Sequence, residues 1–563
     1  MRSTNGIVAN QRRAHRPQRQ AAAGVSSHLL RTERQLTNDL LSIVPSGSLQ
    51  SSLILLRANT SVRERPDRLA LALGAASPYR NSMLAAVAAA AARYPYAVAV
   101  ATADHSVTYR ELWRGSNALA RGLSEGGVGP KDRVGILCRN SPMFVHALLG
   151  VAKLGADIVL LNTAMGPAQL AEVIAGEKLM TVLHDDDFGA ALSPIDGVWA
   201  VGATQIQAML HSHPKMWLAP PRRDSRLVIL TSGTTGRPKG ATRSSRSSSV
   251  DGIAALLHLV PYRLRDTTVI AAPFFHGWGL GNLLIGLGLS ATVLTAPEFD
   301  AAHTLSLVSE HRARALVVVP TMLQRICALP PTHLARADTD NLRIIASSGS
   351  ALPGRLATGV LNRFGPVLYN VYGSTEVAVA TIATPADLRR APTTAGRRAL
   401  GVRVEILDGH GQSAANATVG RIFVASSARF DGYTNGHSKE VLNGLMSTGD
   451  MGYFDEHGRL FVVGREDDMI VSGGENVYPS EIEELLSSDE RIAEAAVVGI
   501  DDDRFGQALK AVIVVAPNRH VDVQELKELI ARQLAKFKVP RIFEFVDALP
   551  RNATGKILRR QLI

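Results

Sequence analysis

An apolar run, Leu227-Val228-Ile229-Leu230, leads directly into Thr231-Ser232-Gly233-Thr234-Thr235-Gly236-Arg237-Pro238-Lys239-Gly240. These ten residues hold four hydroxyls, three glycines and one lysine. Glycines let backbone approach an anion, while hydroxyls, N–H groups and a cation hold phosphate oxygens. The segment is not the G-x-x-x-x-G-K-[ST] loop, because Pro238 stands where the second glycine belongs. Lysine is scarce in the chain, 11 residues against 50 arginines, so one inside a Gly/Thr loop carries weight. Four more segments could do chemistry. Tyr369-Asn370-Val371-Tyr372-Gly373-Ser374-Thr375-Glu376 offers a ring to stack on a base, a hydroxyl for a phosphate oxygen and a carboxylate for a divalent cation. In Ser447-Thr448-Gly449-Asp450 a carboxylate following a turn could accept hydrogen bonds from sugar hydroxyls. Gly464-Arg465-Glu466-Asp467-Asp468 runs on to Ser472-Gly473-Gly474-Glu475-Asn476, and Pro550 to Lys556 ends in a Gly-Lys pair near the C-terminus. Taken singly, the last two read as ordinary solvated surface.

In this order and spacing the five segments resemble the adenylate-forming superfamily: acyl-CoA synthetases, luciferases and the adenylation domains of peptide synthetases. The resemblance covers roughly residues 80–563. It implies that Thr231, Ser232, Gly233, Thr234, Thr235, Gly236 and Lys239 embrace the β- and γ-phosphates of ATP. It implies that Ser348, Gly349, Ser350 and Ala351, with Tyr372 and Gly373, sandwich the adenine, and that Ser374 belongs to the same nucleotide site. Thr375 should meet the α-phosphate, and Glu376, with Thr235, the Mg²⁺. Asp450 and Arg465 should hold the ribose hydroxyls. Lys556 should bridge the substrate carboxylate and the α-phosphate. The small C-terminal domain should rotate about Asp467, presenting Lys556 for adenylation and then the loop Ser472, Gly473, Gly474 and Glu475 for transfer to coenzyme A. Attack of a carboxylate on a phosphate brings two anions together, and a cation in a dry site relieves that repulsion.

By the same resemblance the acyl site follows Pro273-Phe274-Phe275-His276-Gly277-Trp278-Gly279-Leu280, with His276 beside the bound carboxylate. A histidine merely satisfied in the core is the competing reading. No acid stands near Phe275-His276 to meet an amino group, which disfavours an amino-acid substrate. The Gly/Leu-rich continuation through Gly288 suits an apolar tunnel, so a medium- or long-chain fatty acid is expected. The reading is a fatty-acid–CoA ligase, close to actinobacterial long-chain fatty acyl-CoA synthetases. Its alternatives are a fatty acyl-AMP ligase that passes the acyl group to a carrier protein, a CoA ligase for another acid, and a luciferase-like monooxygenase. The chain departs from the family pattern at Gly420-Arg421-Ile422, where an acid usually follows the glycine, and at Gly444-Leu445-Met446, where an aromatic is common.

These segments need a frame to position them. Apolar runs at 134–138, 157–161, 227–230, 269–272, 315–319 and 344–346 alternate with helical stretches, among them one over 82–93, one from Thr108 and one over 142–154. Thr108 with Glu111 forms a capping-box signature. Such alternation implies an α/β fold of parallel sheets with crossover helices. Shorter strands from about residue 395 imply a β-rich subdomain. An α+β unit with helices over 480–486 and 523–536 closes the chain. The expected domains are a basic extension over 1–77, a large AMP-binding domain over 78–466 and a small mobile domain over 467–563.

The 563 residues carry a net charge of +11, which would suit a nucleic-acid binder. Residues 1–70, however, hold eleven arginines against four acids, a net of +7, and the remainder is near neutral. The charge therefore belongs to an N-terminal arm, and no nucleic-acid partner is expected. A short amphipathic helix is predicted near 28–45. The arm reads as a solvated tail with a packed helix, as a contact to anionic lipid, or as an organelle leader. Two cysteines, Cys138 and Cys327, exclude a disulfide scaffold, and the expected location is cytoplasmic, with peripheral membrane contact through the arm. The sequence does not settle oligomeric state.

Overall fold

The capping box forms as predicted. Thr108 accepts from the Glu111 N–H while the Glu111 carboxylate accepts from the Thr108 N–H at 2.8 Å, starting the helix Tyr109–Glu125. The computed structural model describes residues 66–79, 83–232, 238–243, 248–472, 475–502, 506–552 and 555–563. The helix expected near 28–45 lies outside these residues, as do Gly233, Thr234, Thr235, Gly236, Gly473 and Gly474.

Among the described residues, two large sheets carry the N-terminal part. One has seven strands, in the spatial order Gly432–Tyr433, Pro238–Arg243, Leu227–Ser232, Asp157–Leu160, Arg133–Leu137, Thr181–His184, Trp199–Gly202. Its last five strands are parallel, as crossover helices require. The other has nine strands and runs from Arg397–Arg398 to Ser106–Thr108, with a parallel centre that includes Thr267–Ile270, Ala315–Val318, Ile344–Ser347 and Leu368–Ser374. Of these, Ala315–Val318 and Ile344–Ser347 are buried on both faces and are almost wholly apolar. The helix Pro142–Leu154 begins at Ser141, whose hydroxyl accepts from the Phe144 N–H, and stops at Gly155 in the left-handed region (φ 72°).

A five-stranded antiparallel sheet follows, including Arg403–Leu407, Gly420–Ala425, Leu445–Phe454 and Leu460–Arg465. The last five-stranded sheet, in which Gly506–Val515 pairs with Ile492–Asp502, Ile470–Ser472 and Ile542–Phe545, packs against Pro479–Ser487 and Val523–Gln533 through Ile482, Leu486, Leu526 and Ile530. Two expectations need correcting. The helix predicted over 523–536 stops at Gln533, because Leu534 turns to extended backbone (φ −123°, ψ 173°) before a short 3₁₀ turn. Asp450 does not follow a free turn: it lies inside the strand Leu445–Phe454, which accommodates Gly449 at φ 77°.

Candidate active site

The two flanks of the phosphate-loop candidate are paired strands. Leu227–Ser232 pairs antiparallel with Pro238–Arg243, Thr231 opposite Lys239 and Ser232 opposite Pro238. The Thr231 hydroxyl donates to the Lys239 carbonyl at 3.2 Å, closing the base of the loop. The Lys239 ammonium sits 5.9 Å from the centre of the Tyr433 ring.

Tyr433 leads to the carboxylate expected to serve Mg²⁺. Its hydroxyl donates to Glu376 Oε1 at 2.7 Å, and Glu376 is buried. Burial and the Glu376 hydrogen bond push the Tyr433 hydroxyl above its ordinary pKa, so it remains a donor. Arg243 binds the carbonyl of Thr375 with Nε at 3.2 Å and Nη2 at 2.6 Å. Burial lowers the Arg243 pKa against the pull of Glu376 and Asp431. Tyr433 and Arg243 were not anticipated: both are adjuncts that the fold brings in from 57 and 132 residues away. Nothing in the local sequence around them signals it.

Gly373 is fixed by geometry. Strand Leu368–Ser374 shifts register against Ala378–Ala383 at Tyr372/Gly373, and a Cβ on Gly373 would lie 1.8 Å from the Ala378 carbonyl oxygen. The shift leaves Tyr372 beside Asp450, to which its hydroxyl donates at 2.6 Å. Asp450 also faces Arg465 at 3.4 Å across the strand pair Leu445–Phe454 and Leu460–Arg465. Burial holds the Asp450 carboxyl above the usual range, while Tyr372, Arg465, Lys439 and Lys556 pull it back down. Arg465 in turn binds Asp467 at 3.0 Å. Burial and the Asp450 charge raise the Tyr372 hydroxyl well above its ordinary value. One chain of contacts therefore links the expected base-stacking ring, the expected ribose carboxylate and the expected hinge.

Ser348 is nearly buried at the end of strand Ile344–Ser347, and Gly349 takes φ 99°, the left-handed region suited to glycine. Lys556 is exposed, and its charge is felt by Asp450. Its loop is held by Asn552, whose Oδ1 accepts from the Lys556 N–H at 2.9 Å. Gly555 packs so closely on the large domain that a Cβ there would meet Thr321 Oγ1 at 2.1 Å. Two further contacts tie the C-terminal unit down: Gln324 Nε2 to the Ala493 carbonyl at 3.2 Å, and the Gly354 N–H to Glu484 at 3.1 Å. Ser472 and Glu475 pair across a hairpin, and Glu475 is exposed. The tail face, with Lys556, is thus the one docked on the large domain.

His276 immediately precedes the helix Gly277–Gly288, and its side chain makes no capping hydrogen bond. Its imidazole lies 4.5 Å from the Phe275 ring, and burial lowers its pKa to about 4, so it is neutral near pH 7. Its Nε2 is buried without a hydrogen-bond partner, which a satisfied core histidine would not show. Trp278 next to it is fixed by donation from Nε1 to the Val318 carbonyl at 3.0 Å. Arg421, the departure noted in the sequence, pairs with Glu440 and Glu466. A single buried carboxylate, Glu376, with one oxygen taken by Tyr433, fits Mg²⁺, which takes one or two carboxylates and otherwise substrate phosphates and water.

Residues 87–434 match the family of AMP-binding enzymes, and residues 481–556 the AMP-binding enzyme C-terminal domain. A fatty acid–[acyl-carrier-protein] ligase of Streptomyces coeruleorubidus is 32% identical over 490 residues, 83% of this chain and 93% of that protein. An indoleacetate–CoA ligase of Aromatoleum aromaticum is 32% identical over 494 residues, 83% of this chain and 96% of that protein. The o-succinylbenzoate CoA synthetase of Bacillus subtilis, solved with its acyl-adenylate, superposes with a TM-score of 0.75 at 28% identity, covering 85% of this chain and 97% of that one. With the family match spanning most of the chain and the five segments in their expected order, the chain belongs to the AMP-binding enzymes, the adenylate-forming superfamily, and is an ATP-dependent acid-activating ligase.

Proposed function

We propose that the chain is an acid–thiol ligase that activates an apolar monocarboxylic acid, a medium- or long-chain fatty acid first among them. A carboxylate oxygen of the acid attacks the α-phosphorus of ATP, the bond to the β-phosphate oxygen breaks and pyrophosphate leaves. The sulfur of coenzyme A then attacks the acyl carbon, AMP leaves and the thiol proton passes to solvent. The observation that supports this best is the convergence on Asp450 of Tyr372, Arg465 and the charge of Lys556 from the docked tail. In this reading Asp450 and Arg465 hold the ribose, Tyr372 stacks on the base, and Lys556 draws carboxylate and α-phosphate together.

His276 stays neutral and offers its unpartnered Nε2 to the acid. Glu376, kept in place by Tyr433, and Thr235 hold Mg²⁺, which when bound supplies positive charge to the phosphates. Rotation about Asp467 then exchanges the Lys556 face for the loop 472–475. The buried apolar side chains of Phe275, Leu280 and Leu283, close in sequence to His276, support a fatty acid. Similarity to ligases named for indoleacetate and for 2-succinylbenzoate supports an aromatic acid as the second reading. The Streptomyces relative makes a carrier protein the alternative acceptor. A panel of fatty and aromatic acids, assayed for pyrophosphate release with and without coenzyme A, tests both choices. Preference for medium or long chains with thioester product supports the reading. Release driven only by aromatic acids overturns the fatty-acid assignment.

A further inference from the structure

Away from the ATP loop, the seven-stranded sheet has a second opening. Strand Arg133–Leu137 lies between Asp157–Leu160, the next strand in sequence, and Thr181–His184, the one after that. The chain thus leaves the first strand toward one side and returns on the other. In open parallel sheets, crevices at the carboxyl ends of such strands are where ligands bind. A cavity of about 580 Å³ occupies this position, within the range of small-molecule sites. Arg139 and Ser141 border it after one strand, Asp185 and Asp187 after the other, and Lys215 and His211 close the rim. Ser141 caps the 13-residue helix Pro142–Leu154, whose N-terminus therefore opens on the cavity.

A second observation points to a ligand. His146 lies on the cavity wall, only 6% exposed, and its Nδ1 has no hydrogen-bond partner. Its ring is seated over Gly115, also on the wall, where a Cβ would come within 2.5 Å. The acids of the wall are already engaged. Glu111 is the capping-box carboxylate, and Asp185 and Asp187 face Arg139 at 3.9 and 2.7 Å. Lys215 makes no ion pair with any described residue, and the His211 Nδ1 is taken by the Gln207 carbonyl, leaving Nε2. The uncommitted groups are thus the Lys215 ammonium and the helix N-terminus, both suited to an anion, with the imidazoles of His211 and His146 as polar neighbours.

We propose that this cavity is a second small-molecule site, taking a small phosphate monoester. Its phosphate meets Lys215, His211 and the helix N-terminus, and its body hydrogen-bonds His146. The site is separate from the strand Leu227–Ser232 that leads to the ATP loop: strand Asp157–Leu160 intervenes, which sets the two about 12 Å apart at ordinary strand spacing. It is nevertheless tied to the acyl side. Asn140, between Arg139 and Ser141, donates to the Ala272 carbonyl at 3.0 Å and accepts from the Phe274 N–H at 2.7 Å, two residues before His276.

The test is calorimetric titration of the full chain with glycerol 3-phosphate and, separately, with inorganic phosphate. Binding of either that weakens about tenfold in Lys215→Ala and in His211→Ala but is unchanged in Lys556→Ala supports the site. Tighter binding of the ester than of inorganic phosphate assigns the body to His146, and His146→Gln then removes that difference. Both rim residues are exposed, and unchanged thermal unfolding of their variants shows that they fold. The proposal is overturned if neither probe binds up to about 10 mM. It is also overturned if Lys556→Ala abolishes binding while Lys215→Ala does not, or if coenzyme A displaces the probe, since the ligand would then occupy the reaction site.

Discussion

The Tyr372 hydroxyl donates to Asp450 Oδ2 at 2.6 Å, so the ring expected to stack on adenine also orients the carboxylate expected to hold the ribose. A hydrogen bond to a charged group contributes about 1.5–3 kcal/mol. Tyr372→Phe keeps the ring and removes the bond. The expected result is a rise of about tenfold or more in the KM for ATP, with the KM for the acid little changed. Steady-state kinetics with each substrate varied in turn checks this, and an unchanged KM for ATP would show that the contact does not serve the nucleotide.

Gly555 is a test of docking. Its φ of 77° and the 2.1 Å approach of a Cβ to Thr321 Oγ1 leave no room for a side chain. Gly555→Val should lift the tail from the large domain and slow acyl-AMP formation by about a hundredfold, while thioester formation from supplied acyl-AMP persists. Equal loss in both half-reactions would mean that the tail does not dock for adenylation alone.

The two faces of the C-terminal unit make opposite predictions. Lys556→Ala should abolish acyl-AMP formation and spare thioester formation from supplied acyl-AMP. Gly473→Leu should do the reverse if the loop 472–475 serves the thiol step, as proposed. Rapid-quench measurement of each half-reaction separates the two variants, and identical profiles would sink the alternating-face account.

His276 gives a stability prediction with a definite sign. Burial lowers its pKa from 6.5 to about 4. Below about pH 6.5 the unfolded chain takes up a proton that the folded chain refuses until near pH 4, so stability is full above that window and falls through it. His146, lowered to about 4 by burial with Lys153 and His105 nearby, acts in the same direction. Asp450, held high by burial, has the opposite sign at the acid end, so variants must be compared at matched pH. The urea midpoint should drop between pH 7.5 and pH 5, and His276→Phe should shrink that drop. An equal drop in both proteins would place the imidazole outside the linkage.

Much of the frame is visible in the sequence because its parallel strands are buried on both faces. Val134–Leu137 and Ala315–Val318 read as apolar runs, and Ser141 and Thr108 mark helix starts through their caps. The five reactive segments are likewise local. What escaped is what tertiary contact supplies. Tyr433 reaches Glu376, Arg243 reaches the Thr375 carbonyl, and Thr321 receives Gly555, each across more than fifty residues without a local signature. The helix end at Gln533 escaped for a related reason: Leu534 is apolar and fits the helical period, yet its backbone is extended. Among the described residues no helix is long and apolar enough to cross a membrane.

The central claim is that an acid is activated on the α-phosphate before any thiol takes part. The most direct measurement is exchange of labelled pyrophosphate into ATP without coenzyme A, run with the acid that the panel selects. The account predicts exchange that requires the acid, is lost in Lys556→Ala and yields AMP once coenzyme A is added. Exchange without acid, or ADP and phosphate as products, would contradict it.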